Sequence, residues 1–92
     1  MDEPLEQKEA SRLAKEILEN GVIRYTKHAL EEMEKDNLSE ADILRTLRAG
    51  CEPPEWENGQ WRYRFRSYSV WAVVLFRNEE LIVIITAWRK KS

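Results

Sequence analysis

Apolar residues recur every three to four positions through the first half of the chain. After Pro53-Pro54 they recur every second position. Over residues 4–20, Leu5, Leu13, Ala14, Ile17 and Leu18 lie on or near one face. That spacing predicts a helix starting at Pro4 and stopping at Asn20-Gly21. Val22 to Tyr25 reads as a short extended segment. Thr26 is placed to cap a second helix with the stripe Ala29, Leu30 and Met33, ending near Asp36-Asn37. Ser39 and Asp42 have the spacing of a variant capping box for a third helix. Ile43, Leu44 and Leu47 would form its inner face, and Gly50 its end.

In the second half, Asn58-Gly59 joins Glu55-Trp56-Glu57 to Gln60-Trp61-Arg62, a strong hairpin signal. The second arm alternates Trp61, Tyr63 and Phe65 with Arg62, Arg64 and Arg66, which predicts an aromatic inner face and an arginine outer face. Val70 to Arg77 is apolar on both faces and reads as a central strand. Asn78-Glu79-Glu80 turns the chain into a last strand, Leu81 to Trp88, followed by the basic Arg89-Lys90-Lys91. Strict alternation along that strand groups Thr86 and Trp88 with Ile82 and Ile84. The order of elements predicts an α+β fold, its N-terminal helices packed on one face of a four-stranded antiparallel meander. Residues 1–21 form a separate N-terminal helix and 22–92 a single α+β domain. The apolar stripe of 4–20 must be buried against the domain or against a second copy, which would make a homodimer.

Composition narrows the function. One cysteine, Cys51, rules out an internal disulfide and a multi-cysteine zinc site and suits a reducing, cytoplasmic setting. It reads as a small packed residue rather than a nucleophile. No signal-like segment and no apolar run near 18 residues is present, so neither secretion nor a membrane partner is expected. The net charge of −2 divides unevenly, with −7 on residues 1–58 and +5 on residues 59–92. That balance excludes a general nucleic-acid coat and permits a local anion site. A glycine-rich phosphate loop, metal-ligand spacing and a dinucleotide fingerprint are all missing, so no metal and no other cofactor is expected.

Three features could carry chemistry. His28 is the only histidine and falls in the first turn of the second helix, and histidine is the commonest general acid or base. The competing reading makes it a helix-start residue paired with Glu31 or Glu32. Arg62, Arg64 and Arg66 repeat about every 7 Å along one strand face and suit bidentate phosphate contacts. They could equally pair with Glu55, Glu57 or helix acids. Thr86 and Trp88 could supply a hydroxyl donor and a stacking ring, or be ordinary strand formers.

Several motifs in order resemble a small bacterial family of unknown function. They are Arg24-Tyr25-Thr26-Lys27-His28-Ala29 with Met33, the helix start Ser39-Glu40-Ala41-Asp42-Ile43, Gly50, the arginine strand, and Ile85-Thr86-Ala87-Trp88-Arg89. The resemblance spans roughly residues 22–90. That family is grouped with the barnase–EndoU–colicin–RelE superfamily of metal-independent ribonuclease toxins, which implies a RelE/barnase-like domain over 22–92. By this likeness His28, Arg64 and Thr86 are the catalytic candidates for an endoribonuclease. Arg62, Arg66, Lys27, Trp88 and Arg89 are the RNA- or phosphate-binding candidates, without a metal. RNA and an acidic antitoxin or inhibitor protein are the expected partners. A non-catalytic RNA- or protein-binding module of the same fold is the alternative. Two departures stand out: Trp88 replaces the more usual tyrosine, and Lys35-Asp36-Asn37-Leu38 is more acidic than the usual basic turn.

Overall fold

A computed structural model describes residues 1–91. The element order is α1 (Gln7–Asn20), β1 (Val22–Tyr25), α2 (Lys27–Lys35), α3 (Glu40–Ala49), β2 (Glu55–Glu57), β3 (Gln60–Arg66), β4 (Val70–Asn78) and β5 (Leu81–Arg89). The strands form one five-stranded sheet in the order β1-β5-β4-β3-β2. The α+β class is as expected, but the sheet is mixed and has one more strand than the periodicity indicated. Val22–Tyr25 pairs in parallel with Leu81–Ile84, because a four-residue segment completes the open side of β5.

α1 begins three residues after Pro4. The Leu5 backbone N–H donates to the Tyr63 hydroxyl at 3.0 Å and Gln7 donates to the Cys51 carbonyl, so the chain leading into α1 is tied to the sheet instead of being wound into the helix. Ala10, Ala14 and Ile17 of α1 join Ala29 and Met33 of α2 and Ile43 and Leu47 of α3 in one core. That core lies over a sheet face made by Tyr63, Phe65, Ala72, Val74, Phe76, Ile82, Ile84 and Ala87. The stripe of α1 is therefore used within the domain. Among the described residues, no helix is long and apolar enough to cross a membrane.

The local signals act as their chemistry requires. Thr26 caps α2 by accepting the Ala29 N–H, and Ser39 with Asp42 forms a reciprocal capping box on α3. Asn58 and Gly59 have φ of 51° and 74°, the paired positive angles a tight hairpin needs. Thr46 is buried on the inner face of α3 in the place expected for Leu44. Its hydroxyl donates to the Asp42 carbonyl at 2.7 Å, which satisfies it without solvent.

Gly21 marks a close approach. Its neighbour Val22 donates to the Glu80 carbonyl, and a Cβ at position 21 would sit 2.5 Å from that oxygen. Gly21→Ala is therefore expected to push β1 away from the turn before β5 and cost about 1–3 kcal/mol, measured by chemical denaturation.

β5 is not regular. Val73 pairs with Thr86 while Val74 pairs with Ile84, so Ile85 is an extra residue and makes a β-bulge. Past the bulge, β1 no longer accompanies β5 and α2 takes its place. Thr26 donates its hydroxyl to the Ile85 carbonyl at 2.9 Å, and Asp36, at the far end of α2, accepts the Arg89 N–H at 2.8 Å.

Candidate functional site

The face of the sheet away from the helices is uncovered. Strand pairing puts Arg64, Val73 and Thr86 side by side across it, and Arg66, Trp71 and Trp88 in the next row. The expected grouping of Thr86 and Trp88 with Ile82 and Ile84 is overturned here. The extra residue at Ile85 shifts the alternation by one, so Ala87 turns into the core and Thr86 and Trp88 come to the arginine face. The Cα atoms of Arg64 and Thr86 are two strand spacings apart, about 10 Å, a gap that an extended guanidinium and one phosphate would fill.

His28 is in the first turn of α2. It is two residues beyond Thr26, whose hydroxyl is clasped to the carbonyl just before Thr86. It is exposed, and among the described residues its side chain makes no hydrogen bond or ion pair, so the proposed pairing with Glu31 or Glu32 is not seen. Lys27 is exposed beside it.

Each arginine of β3 has a carboxylate partner. Residues 50–52 continue the line of β2 along β3, with Cys51 bridged to Phe65 and the Glu52 N–H donating to the Arg64 carbonyl. Arg66 holds Glu52 at 2.9 Å, Arg64 holds Glu55 at 3.5 Å and Arg62 holds Glu57 at 3.6 Å. Only the first is as short as a strong charge-assisted hydrogen bond. With side chains 40% and 52% exposed, the Arg64–Glu55 pair contributes at most about 1 kcal/mol, little enough for a better-shaped anion to displace it. Arg62 is the most enclosed of the three, and its Nε is buried without a hydrogen-bond partner.

Other candidates have structural work. Arg89 gives its backbone N–H to Asp36 and its guanidinium to the carbonyls of Asp36 and Asn37, so it ties the end of α2 to β5 instead of facing the open side. Tyr63 is buried and donates to Glu3 at 2.8 Å, which takes its phenol away from the site. Sequence reasoning missed Trp71 and Lys90. The Trp71 ring stacks on Trp88 with centroids 6.2 Å apart, and the Lys90 ammonium lies 5.2 Å from its centroid. Their signal was present only as the cross-strand register. Among the described residues, no group of three or more His, Cys, Asp or Glu side chains could hold a metal ion.

Three groups beside the core titrate upward. Burial first, then the charge of Glu52, pushes the Cys51 thiol from 9.0 up to about 12. Burial and the neighbouring Glu40 carboxylate raise the Tyr25 phenol from 10.0 to about 12, and burial with Glu3 raises Tyr63 as well. The unfolded chain gives up these protons first. Stability is thus fully present below about pH 9 and is lost as pH rises toward 12, which denaturation midpoints across that range will show.

A family model described as Domain of unknown function (DUF4258) matches residues 25–89, from the end of β1 to the last residue of β5. No curated protein and no solved structure gives a significant match to the chain.

Proposed function

The chain belongs to the DUF4258 family of domains of unknown function, and for this member we propose a ribonuclease-like action on single-stranded RNA within a toxin–antitoxin or related conflict system. The observation that carries the reading is the bulge at Ile85. Without it Thr86 would lie under the helices. With it, Arg64 and Thr86 share a face whose margin is the first turn of α2.

In this reading the RNA 2′-hydroxyl attacks the adjacent phosphorus and the 5′-oxygen leaves, giving a 2′,3′-cyclic phosphate and a 5′-hydroxyl. His28 takes the proton from the attacking hydroxyl or returns one to the leaving oxygen. Arg64 neutralises the charge that builds on the equatorial oxygens, and Thr86 donates a hydrogen bond to one of them. Arg62, Arg66 and Lys27 hold neighbouring phosphates. In this reading no second side chain shares the acid–base work with His28, so the second proton transfer falls to water and the chemistry is slow. A neutralising partner would present Asp and Glu side chains to the same arginines.

The test is incubation of the protein with single-stranded RNA in the presence of a chelator. The expected products carry 2′,3′-cyclic phosphate and 5′-hydroxyl ends, and a 2′-deoxy substitution at the cleaved nucleotide blocks them. A second reading, an RNA-binding module without catalysis, is favoured by the carboxylate already paired with each arginine. Salt-sensitive binding with intact RNA after long incubation would decide for it.

A further inference from the structure

Beside the Arg64 row, the open face carries a cluster that phosphate chemistry alone does not require. Trp71 and Trp88 are cross-strand partners whose rings are nearly parallel, 18° apart, with centroids at 6.2 Å. Both are only half-buried, because no helix covers this side. Two cations attend the Trp71 ring, the Arg66 guanidinium at 5.6 Å and the Lys90 ammonium at 5.2 Å. Lys90 is fixed there by a 2.6 Å hydrogen bond to the Ser67 carbonyl, and no side-chain carboxylate pairs with it among the described residues. The shallow cleft is completed by Lys91 and edged by Arg89, whose guanidinium is turned to the carbonyls of Asp36 and Asn37, and it contains no acidic side chain among its lining residues. Next to it Tyr68, at the tip of the β3–β4 turn, is 99% exposed.

We infer that Trp71 and Trp88, with Arg66 and Lys90, form a stacking platform for a base of single-stranded nucleic acid. The ligand class follows from the combination. Partly exposed flat rings take another flat ring, whatever its sequence, while the Lys90 ammonium beside them, joined by Arg66 once a phosphate displaces Glu52 from it, takes the backbone that joins such rings. A duplex keeps its base faces stacked on one another and cannot offer them. The platform row is two residues along the strands from the Arg64–Val73–Thr86 row, about 7 Å, so it receives the nucleotide adjoining the phosphate held by Arg64. This placement rests on the proposed RNA-directed function, but stacking itself does not need the 2′-hydroxyl.

That independence provides the experiment. Short single-stranded DNA and RNA oligonucleotides of one sequence, and the matching DNA duplex, are titrated into the protein by fluorescence anisotropy. The expected result is comparable binding of both single strands and much weaker binding of the duplex. Trp88→Ala should weaken single-strand binding by about five- to hundredfold. Trp88→Phe, which keeps a ring, should recover most of it, and Trp56→Ala on β2 should have no effect. Should Trp88→Ala fail to fold, Lys90→Ala replaces it and should weaken binding and lower the salt slope by about one. Native affinity in Trp88→Ala, or in Lys90→Ala where Trp88→Ala does not fold, or a duplex bound as tightly as a single strand, overturns the platform. DNA bound while RNA stays uncut overturns the cleavage reading and leaves the platform standing. RNA cut at the native rate by Trp88→Ala does the reverse.

Discussion

Replacing His28 with alanine is expected to slow RNA cleavage by about 10²–10⁴-fold while leaving the thermal midpoint almost unchanged. The two halves of that result have separate grounds. The rate loss follows from removing the imidazole that the proposed reaction uses as its general acid or base. The unchanged stability follows from exposure: His28 has no hydrogen bond or ion pair among the described residues, and substitutions at such positions shift stability by no more than about 0.5 kcal/mol. Arg64→Ala should cost about 10²–10³-fold, as for other donors aimed at developing oxyanion charge. Thr86→Val keeps the strand-forming shape and removes only the hydroxyl, so its effect should be smaller than either. A lowered midpoint in His28→Ala, with no cleavage by the parent protein, would make the histidine a structural helix-start residue.

The second large effect is a gain. Glu52, Glu55 and Glu57 neutralise Arg66, Arg64 and Arg62 in turn, so a polyanion must displace three carboxylates before it meets three guanidiniums. Converting all three to glutamine should raise affinity for single-stranded polyanions. At about 0.2–1 kcal/mol for each exposed pair, the gain is about three- to hundredfold. Glu52→Gln should contribute most, because its 2.9 Å contact is the shortest, and the effect should shrink as salt rises. Binding titrations at two ionic strengths measure it. Unchanged affinity in the triple variant would mean that anions bind elsewhere on the surface.

The three helices, their caps and the Asn58-Gly59 hairpin were legible because each has a short-range cause. Capping hydroxyls, positive backbone angles and a 3.6-residue stripe all act within a few residues. The bulge was not legible. Leu81–Ile85 is apolar on both faces, so an extra residue leaves no break in the alternation, and the face of Thr86 cannot be read from spacing alone. The parallel pairing of β1 is likewise invisible to local pattern, since its partner lies more than fifty residues on. At the candidate site, sequence reasoning placed His28, Arg64 and Thr86 together through a family likeness and Arg62, Arg64 and Arg66 on one face by periodicity. It named Glu55 and Glu57 as alternative partners of the arginines but not Glu52, whose approach depends on residues 50–52 running on beside β3. Trp71 was visible as a strand residue, yet its stack on Trp88 depends on the shifted register.

The short outer strands also bear on self-association. A sheet exposes unpaired peptide groups along its first and last strands, and another chain can extend it there into an aggregate. Here one outer strand, β1, has four residues, with Arg24 exposed at its middle. The other, β2, has three, with a glutamate on each side of Trp56. Beyond β1, the bare flank of β5 is occupied by a helix that cannot template a strand. The longest and most apolar strands, β4 and β5, are therefore the ones least able to meet a copy of themselves, so the chain should stay monodisperse at concentrations where an uncovered β5 would seed fibrils.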